Sequence, residues 1–329
     1  MVLTGNGSLT NSTVLSFIQQ GRPGSLAQQY ITFGLEGGTR FVRNINAGLV
    51  GLLDNSARYN YNALQVELRR SLKSGFTFQA NYTFSKTLSN SPGTDQRRQE
   101  FELDANRPNL EYSRADYDQT HVFNFNSIYE LPFGKGKHFF TDAGNWLDRF
   151  VGGWQFNSIV RIASGAPFTF VDPRSTFNTT GRSTKQPATS NLSKAELRKL
   201  VGVFRLPDGR VSLVNPSIIS PTTLALTNGP GQAAFAGQVF FNNPAGSVGN
   251  VERAAFDGPG YFNIDASIFK NIRITERVRF QIRAEAFNLL NHTNFAITNQ
   301  FRDINAAQAF DLTTTFSPRV VQFAGRIEF

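Results

Sequence analysis

The chain has 329 residues, of which 40% are hydrophobic, and it contains 32 Phe, 1 Met and no Cys. Without cysteine there is no disulfide framework, thiolate metal site or thiol nucleophile, and no apolar run approaches the roughly 18 residues of a membrane helix. The net charge of +9 would raise nucleic acid as a partner. The basic residues are scattered rather than run together, so nucleic acid is not expected and the charge is assigned to loops, lumen and membrane surface.

Residues 1–30 show no basic segment followed by an apolar one, so no signal peptide is visible. The sequence therefore reads as beginning partway through a longer protein. Strict alternation then predicts seven strands. In the first, residues 58–72, Leu64, Val66 and Leu68 face one way and Gln65, Glu67 and Arg69 the other. A turn at Lys73, Ser74 and Gly75 leads to residues 76–88, where Phe76, Phe78, Ala80, Tyr82 and Phe84 oppose Thr77, Gln79, Asn81, Thr83 and Ser85. That strand would run about 43 Å, or about 33 Å along the membrane normal at a tilt of about 40°.

The third, residues 121–133, sets Phe123, Phe125, Tyr129 and Leu131 against Asn124, Asn126 and Glu130. After a connector carrying Trp146, the fourth, residues 154–163, sets Trp154, Phe156, Val160 and Ile162 against Gln155, Asn157 and Arg161. The fifth, residues 261–272, opposes Phe262, Ile264, Ala266 and Ile268 to Asn263, Asp265 and Ser267. A turn through Thr275 and Glu276 reaches the sixth, residues 278–289, with Val278, Phe280, Ile282, Ala284 and Ala286 against Arg279, Gln281, Arg283 and Glu285. The seventh, residues 319–329, places Val321, Phe323, Ile327 and Phe329 on one face and Gln322, Arg326 and Glu328 on the other.

Short links alternate with long ones at residues 89–120, 164–260 and 290–318. That asymmetry marks an outer-membrane barrel with periplasmic turns and extracellular loops, and parity then puts residues 1–56 outside the cell as the remainder of an extracellular loop. The fold expected is all-β: a transmembrane antiparallel β-barrel segment of about seven C-terminal strands from a larger barrel. A soluble β-sandwich that binds carbohydrate also has strands with one polar face. Strand length, loop asymmetry and the terminal Phe329 favour the barrel.

In that frame Glu67, Arg69, Glu130, Arg161, Asp265, Arg279, Arg283 and Glu285 face the lumen, with Arg279, Arg283 and Glu285 near Asp265 or Glu67 on neighbouring strands. Phe76, Tyr129, Phe133, Trp154 and Phe156 form a periplasmic-side aromatic girdle, and Phe84, Phe123 and Phe262 an outer one. Chemistry is poorly supported: His121, His138 and His292 lack metal-ligand spacing, Ser164-Gly165 lacks a nucleophile-elbow frame, and Gly134-Lys135-Gly136-Lys137 lacks phosphate-loop spacing. No enzyme, metal or cofactor is expected. Ser193 and Glu196 form a capping box that predicts a short helix through Val201. The link 89–118, with Asp95, Glu100, Glu102, Asp104, Glu111, Asp116 and Asp118 against Arg97, Arg98, Arg107 and Arg114, reads as a solvated, lipopolysaccharide-facing loop rather than a calcium site.

Several blocks carry a resemblance. Gly258-Pro259-Gly260-Tyr261-Phe262-Asn263-Ile264-Asp265, Ile274-Thr275-Glu276-Arg277 and Glu285-Ala286-Phe287-Asn288-Leu289-Leu290-Asn291 resemble the C-terminal barrel of TonB-dependent outer-membrane receptors. Tyr61-Asn62-Ala63-Leu64-Gln65, Tyr82-Thr83-Phe84-Ser85-Lys86, Leu131-Pro132-Phe133-Gly134, Gly152-Gly153-Trp154-Gln155 and Pro318-Arg319-Val320-Val321 extend the match over residues 57–329. It is most similar to the Oar-like subgroup, which carries a carboxypeptidase-regulatory-like domain.

The resemblance implies a piece of a 22-stranded receptor in the outer membrane of a Gram-negative bacterium. It implies energy-coupled uptake of a large ligand, such as a siderophore, saccharide or peptide. The signal sequence, plug and TonB box would lie upstream, so the TonB energy-coupling complex is a partner only through that missing plug. Outer-membrane lipid and the barrel-assembly machinery are the other expected partners, the latter reading Val321, Phe323, Ile327 and Phe329 as an assembly signal by β-augmentation. A non-transporting adhesion or structural barrel is the alternative, and no residue pattern here names the ligand.

Overall fold

The computed structural model describes residues 7, 9–37, 41, 44, 55–90, 102–104, 106–178, 185–275 and 277–329. Seven long strands form one antiparallel wall: β1 (Tyr59–Lys73), β2 (Phe76–Ser89), β3 (His121–Glu130), β4 (Trp154–Ala163), β5 (Tyr261–Arg273), β6 (Arg279–Phe287) and β7 (Val320–Glu328). Each pairs with its neighbours in sequence order. A two-residue strand, Ser113–Arg114, adds to the far end of β2.

The register follows from the alternation. Val66, Tyr82, Phe123, Ile162 and Phe262 lie opposite one another across β1 to β5, so one row is apolar. The adjacent row, Glu67, Asn81, Asn124, Arg161 and Asn263, is polar and projects from the other face. Because side-chain direction has period two, a slip of one residue would exchange the two rows entirely.

Short links suit tight antiparallel pairing. Between β1 and β2, Ser74 (φ 54°) and Gly75 (φ 76°) both take positive φ, as a two-residue primed turn requires. Between β5 and β6, Ile274 N and Thr275 N both donate to Val278 O. Glu276 of the expected turn lies outside the described residues.

Two strands stop earlier than expected. Residues 121–133 pair only to Glu130, because Pro132 has no N–H to give the ladder; Phe133 therefore lies off the strand. Residues 278–289 pair only to Phe287, where Asn288 (φ 50°) turns the chain left-handed.

The long links at the other end of the wall build a compact cap. Pro167–Val171 is buried along its whole length. It pairs antiparallel with Phe256–Asp257 and parallel with Phe301–Asp303. Two small ribbons complete the cap, Val201–Arg205 with Val211–Val214 and Thr189–Ser190 with Phe240–Phe241. The core is aromatic: Phe170 lies 4.2 Å from Phe240, 5.0 Å from Phe256 and 5.2 Å from both Phe168 and Phe310, centroid to centroid. Residues 164–260 and 290–318 thus share one core.

Four short helices sit around these regions: α1 (Ser12–Gln19), α2 (Pro23–Thr32), α3 (Asn145–Val151) and α4 (Lys194–Lys199). Asn11 caps α1 by accepting from Thr13 N and Val14 N. The α1–α2 corner is tied to the cap, since Arg174 Nη1 donates to Gln20 O at 3.0 Å and Gly24 N to Ser175 O at 2.9 Å. Gly24 is required there: a Cβ would lie 2.3 Å from Asn178 O. Alternation did not reveal these helices. α4 has the expected capping box but ends at Lys199, and Val201 instead opens the ribbon.

Candidate functional site

All eight charged residues expected at the lumen share one face of the wall. Glu67 and Arg161 stand in one row, Arg69 and Asp265 in the next, and Glu130 with Arg283 in a third. Arg279 and Glu285 continue the same face of β6.

Among the described residues Arg279, Arg283 and Glu285 form no ion pair with Asp265 or Glu67, and the polar face is held by other bonds, some along one strand and some across. Arg283 Nη1 reaches Glu285 Oε1 on its own strand at 3.3 Å and Nη2 donates to Gln281 at 3.0 Å. Glu67 accepts from Gln79 Nε2 at 3.1 Å, and Glu130 pairs with Lys137 at 3.0 Å. Asp265 accepts from Asn263 Nδ2 and from Asn288 N, both at 2.8 Å, which fixes the start of the link after β6. The reason is geometric: same-face neighbours at i and i+2 stand on one strand and are as reachable as the next strand.

The other face carries the aromatic residues. Phe76, Tyr129 and Phe156 form one row at the short-link end, and Phe123 and Phe262 share a row near the long-link end. Phe84 pairs with His121 beyond it. That face also holds a serine pair, Ser127 and Ser158, whose hydroxyls bond each other at 2.8 Å and so satisfy one another, and Arg70, which lies opposite Phe78 with its guanidinium 5.7 Å over the Phe76 ring. On β7, Val321, Phe323 and Ile327 point to the apolar face, opposite Ala286, Ala284 and Phe280. Phe329 is fully exposed beyond the last pair.

At the long-link end, residues 102–118 are clamped to the cap. Arg114 bonds Asp118 at 2.9 Å and Asp257 at 2.7 Å. Burial opposes the Arg114 charge, but the two carboxylates outweigh it and raise its pKa. Arg253 pairs with Asp116 at 3.2 Å, both nearly buried. The reading of this link as solvated is therefore corrected for Asp116 and Asp118, whose carboxylates are interior and committed to arginine. Asp95, Arg97, Arg98 and Glu100 lie outside the described residues.

Between this clamp and the cap runs a groove of about 430 Å³, lined among others by Lys86, Leu110, Tyr112, Arg114, Arg198 and Val251. Its volume suits a small or elongated ligand, and its lining, which mixes Leu88, Leu103, Leu110 and Val251 with charged groups of both signs, suits a ligand of mixed polarity. Sequence reading missed it because its walls come from segments more than 70 residues apart, Lys86 to Arg114 and Pro187 to Ala255. Among the described residues no three His, Cys, Asp or Glu side chains gather as a metal-holding group. His121 instead faces the Tyr82 hydroxyl at 2.8 Å, and His292 the Asn294 side chain at 3.2 Å.

Comparison with known proteins decides the class. Residues 10–322 match the family described as the outer membrane beta barrel domain. The chain belongs to that family. It is an outer-membrane β-barrel protein of a Gram-negative bacterium, and its wall is transmembrane although not closed among the described residues. No curated protein and no solved structure matches it.

Proposed function

We propose that this barrel domain is the C-terminal part of a TonB-dependent receptor of the Oar-like kind, taking up a large ligand across the outer membrane. The observation that supports the reading is the wall's register: eight ionisable side chains on one face, and on the other rows of aromatic and aliphatic residues in which cations, Arg70, Lys86 and Lys270 among them, stand toward the strand ends. In a transmembrane barrel that division is lumen and lipid, because Arg or Lys on the lipid face at mid-membrane costs about 2 to 4 kcal/mol. The outer edges of β1 and β7 have no strand partner among the described residues. An open edge cannot face lipid, so further strands complete the wall. The sequence blocks resembling these receptors support their identity, and the charged lumen face suits a plug.

The long-link cap would then be extracellular and the groove a first contact for ligand. The test uses cells producing the full-length protein, offered labelled ferric chelates, oligosaccharides and peptides. Receptor-dependent uptake of one class, abolished by a protonophore, is the expected result. Cell-surface binding with no energy-dependent uptake would replace transport with the adhesion reading.

A further inference from the structure

The apolar face has a buried cation near its short-link end, besides Arg70. Lys270 on β5 points to that face, opposite Trp154 and Ile282, yet it is only 4% exposed. Its ammonium donates to Phe150 O at 3.0 Å and to Gly152 O, and sits 5.2 Å over the Trp154 ring. Trp154 Nε1 also donates to Phe150 O, at 2.9 Å. Two side chains of the apolar face thus grip the C-terminal carbonyls of α3, where the helix dipole favours a positive charge.

The connection 131–153 is built to reach this seat. Asp148 Oδ1 accepts from Lys135 N at 2.6 Å and Asp148 O from Gly152 N at 2.8 Å. Gly134 and Gly152 approach so closely that a Cβ on Gly134 would lie 2.7 Å from Gly152 Cα. Held this way, α3 exposes its aromatic side: Trp146 is 73% and Phe150 61% exposed, with rings 5.0 Å apart. Phe139 and Phe140 of the same connection are about half exposed and lie tilted against Phe133, ring centroids 5.6 and 6.4 Å away.

We infer that α3 is a membrane-interface anchor, in which Trp146 and Phe150 enter the phospholipid headgroup boundary while Lys270 and Trp154 seat the helix against the wall. This rests on the reading of the aromatic face as the lipid face. Phospholipid is the occupant because α3 is seated on the aromatic face itself, through Trp154 and Lys270 in the row next to Phe156, and Trp and Phe on a short helix favour that boundary, with Arg70 over the Phe76 ring and Arg149 on α3 placed to meet headgroup phosphates. The same seat removes an ammonium from lipid, replacing its water with three fixed acceptors: two carbonyls and a ring face.

The chain has 2 Trp, so the test is spectroscopic. In full-length protein reconstituted in phosphatidylcholine and phosphatidylglycerol vesicles, the emission lost on Trp146→Phe reports Trp146 while Trp154 stays in its seat. Lipid brominated close to the carbonyl should remove more than half of that difference signal, and aqueous iodide should remove little. Lys270→Met, compared in the same way with and without Trp146, should move the signal toward iodide. A second protein, carrying Phe125→Trp in mid-wall, should show an added emission that responds to lipid brominated deep in the acyl chain. If Phe125→Trp responds and Trp146 is instead quenched by iodide alone, the anchor is wrong and the wall reading stands. If neither responds to brominated lipid, both are wrong.

Discussion

In the cap Phe168, Phe170 and Phe240 are fully buried, whereas on the wall Phe84 is 46% and Phe323 81% exposed. The cap buries its rings by stacking them on one another, as a water-soluble core does. Wall rings stand in rows on a surface two or more strands wide, and Phe84 and Phe323 are exposed there among the described residues. An aqueous protein rarely leaves apolar patches of that extent uncovered. The same residue type therefore marks two solvents in one molecule, water around the cap and lipid around the wall.

The largest effect should come from breaking the cap core. Phe170→Ala removes the ring that touches four others and should cost about 3 to 5 kcal/mol; limited proteolysis should open residues 164–260 while the wall's strand content, read by circular dichroism, is retained. Loss of both together would mean that cap and wall fold as one unit. Asp116→Ala removes one carboxylate from the buried Arg253 and should cost about 3 kcal/mol, the low end for a buried pair, because Glu111 still faces the guanidinium at 3.7 Å. Its signature is release of residues 102–118, seen as faster amide exchange there, and replacement of both partners by apolar residues should recover most of the loss.

On the wall the sensitive change is charge rather than volume. Ile264→Arg, in mid-wall opposite Val160, should destabilise the folded barrel in bilayers by about 2 to 4 kcal/mol. Arg in place of Asn263, one residue away on the polar face, should cost far less, and equal costs would remove the distinction between the faces.

The smallest effect belongs to α4. Ser193→Ala removes the hydroxyl that caps Glu196 N and should cost about 1 kcal/mol. Hydrogen bonds from the Ser193 hydroxyl and then its backbone N–H hold the Glu196 carboxyl below the usual carboxylate range. A lowered folded-state pKa contributes stability above the unfolded value, and that contribution fades as pH falls through the folded one. Acid titration of the α4 amides should show this loss in the parent protein and a smaller one in Ser193→Ala.

Much of the wall was legible in the sequence, because a strand with one face to lipid and one to water writes its register as period two. Val66, Tyr82 and Phe123 could be placed on a common face from spacing alone. The cap was not legible, since its strands span two to five residues and Pro167–Val171 is buried on both faces, which erases alternation. Lys270 was equally hidden. Nothing in a lone lysine among apolar neighbours tells that carbonyls 118 and 120 residues earlier accept its protons. The cross-strand pairing expected of Arg283 failed because spacing gives the face but not which same-face neighbour a long side chain selects.

The central claim is that one face of this wall meets lipid and the other water. These 329 residues contain no cysteine, so in a cysteine-free background of the bilayer-embedded full-length protein single cysteines at each position from Phe76 to Ser85 of β2 can be spin-labelled. Accessibility to oxygen, which concentrates in lipid, should peak at residues 76, 78, 80, 82 and 84, and accessibility to a water-soluble nickel chelate at 77, 79, 81, 83 and 85. A reversed alternation, or nickel access at every position, would contradict the account.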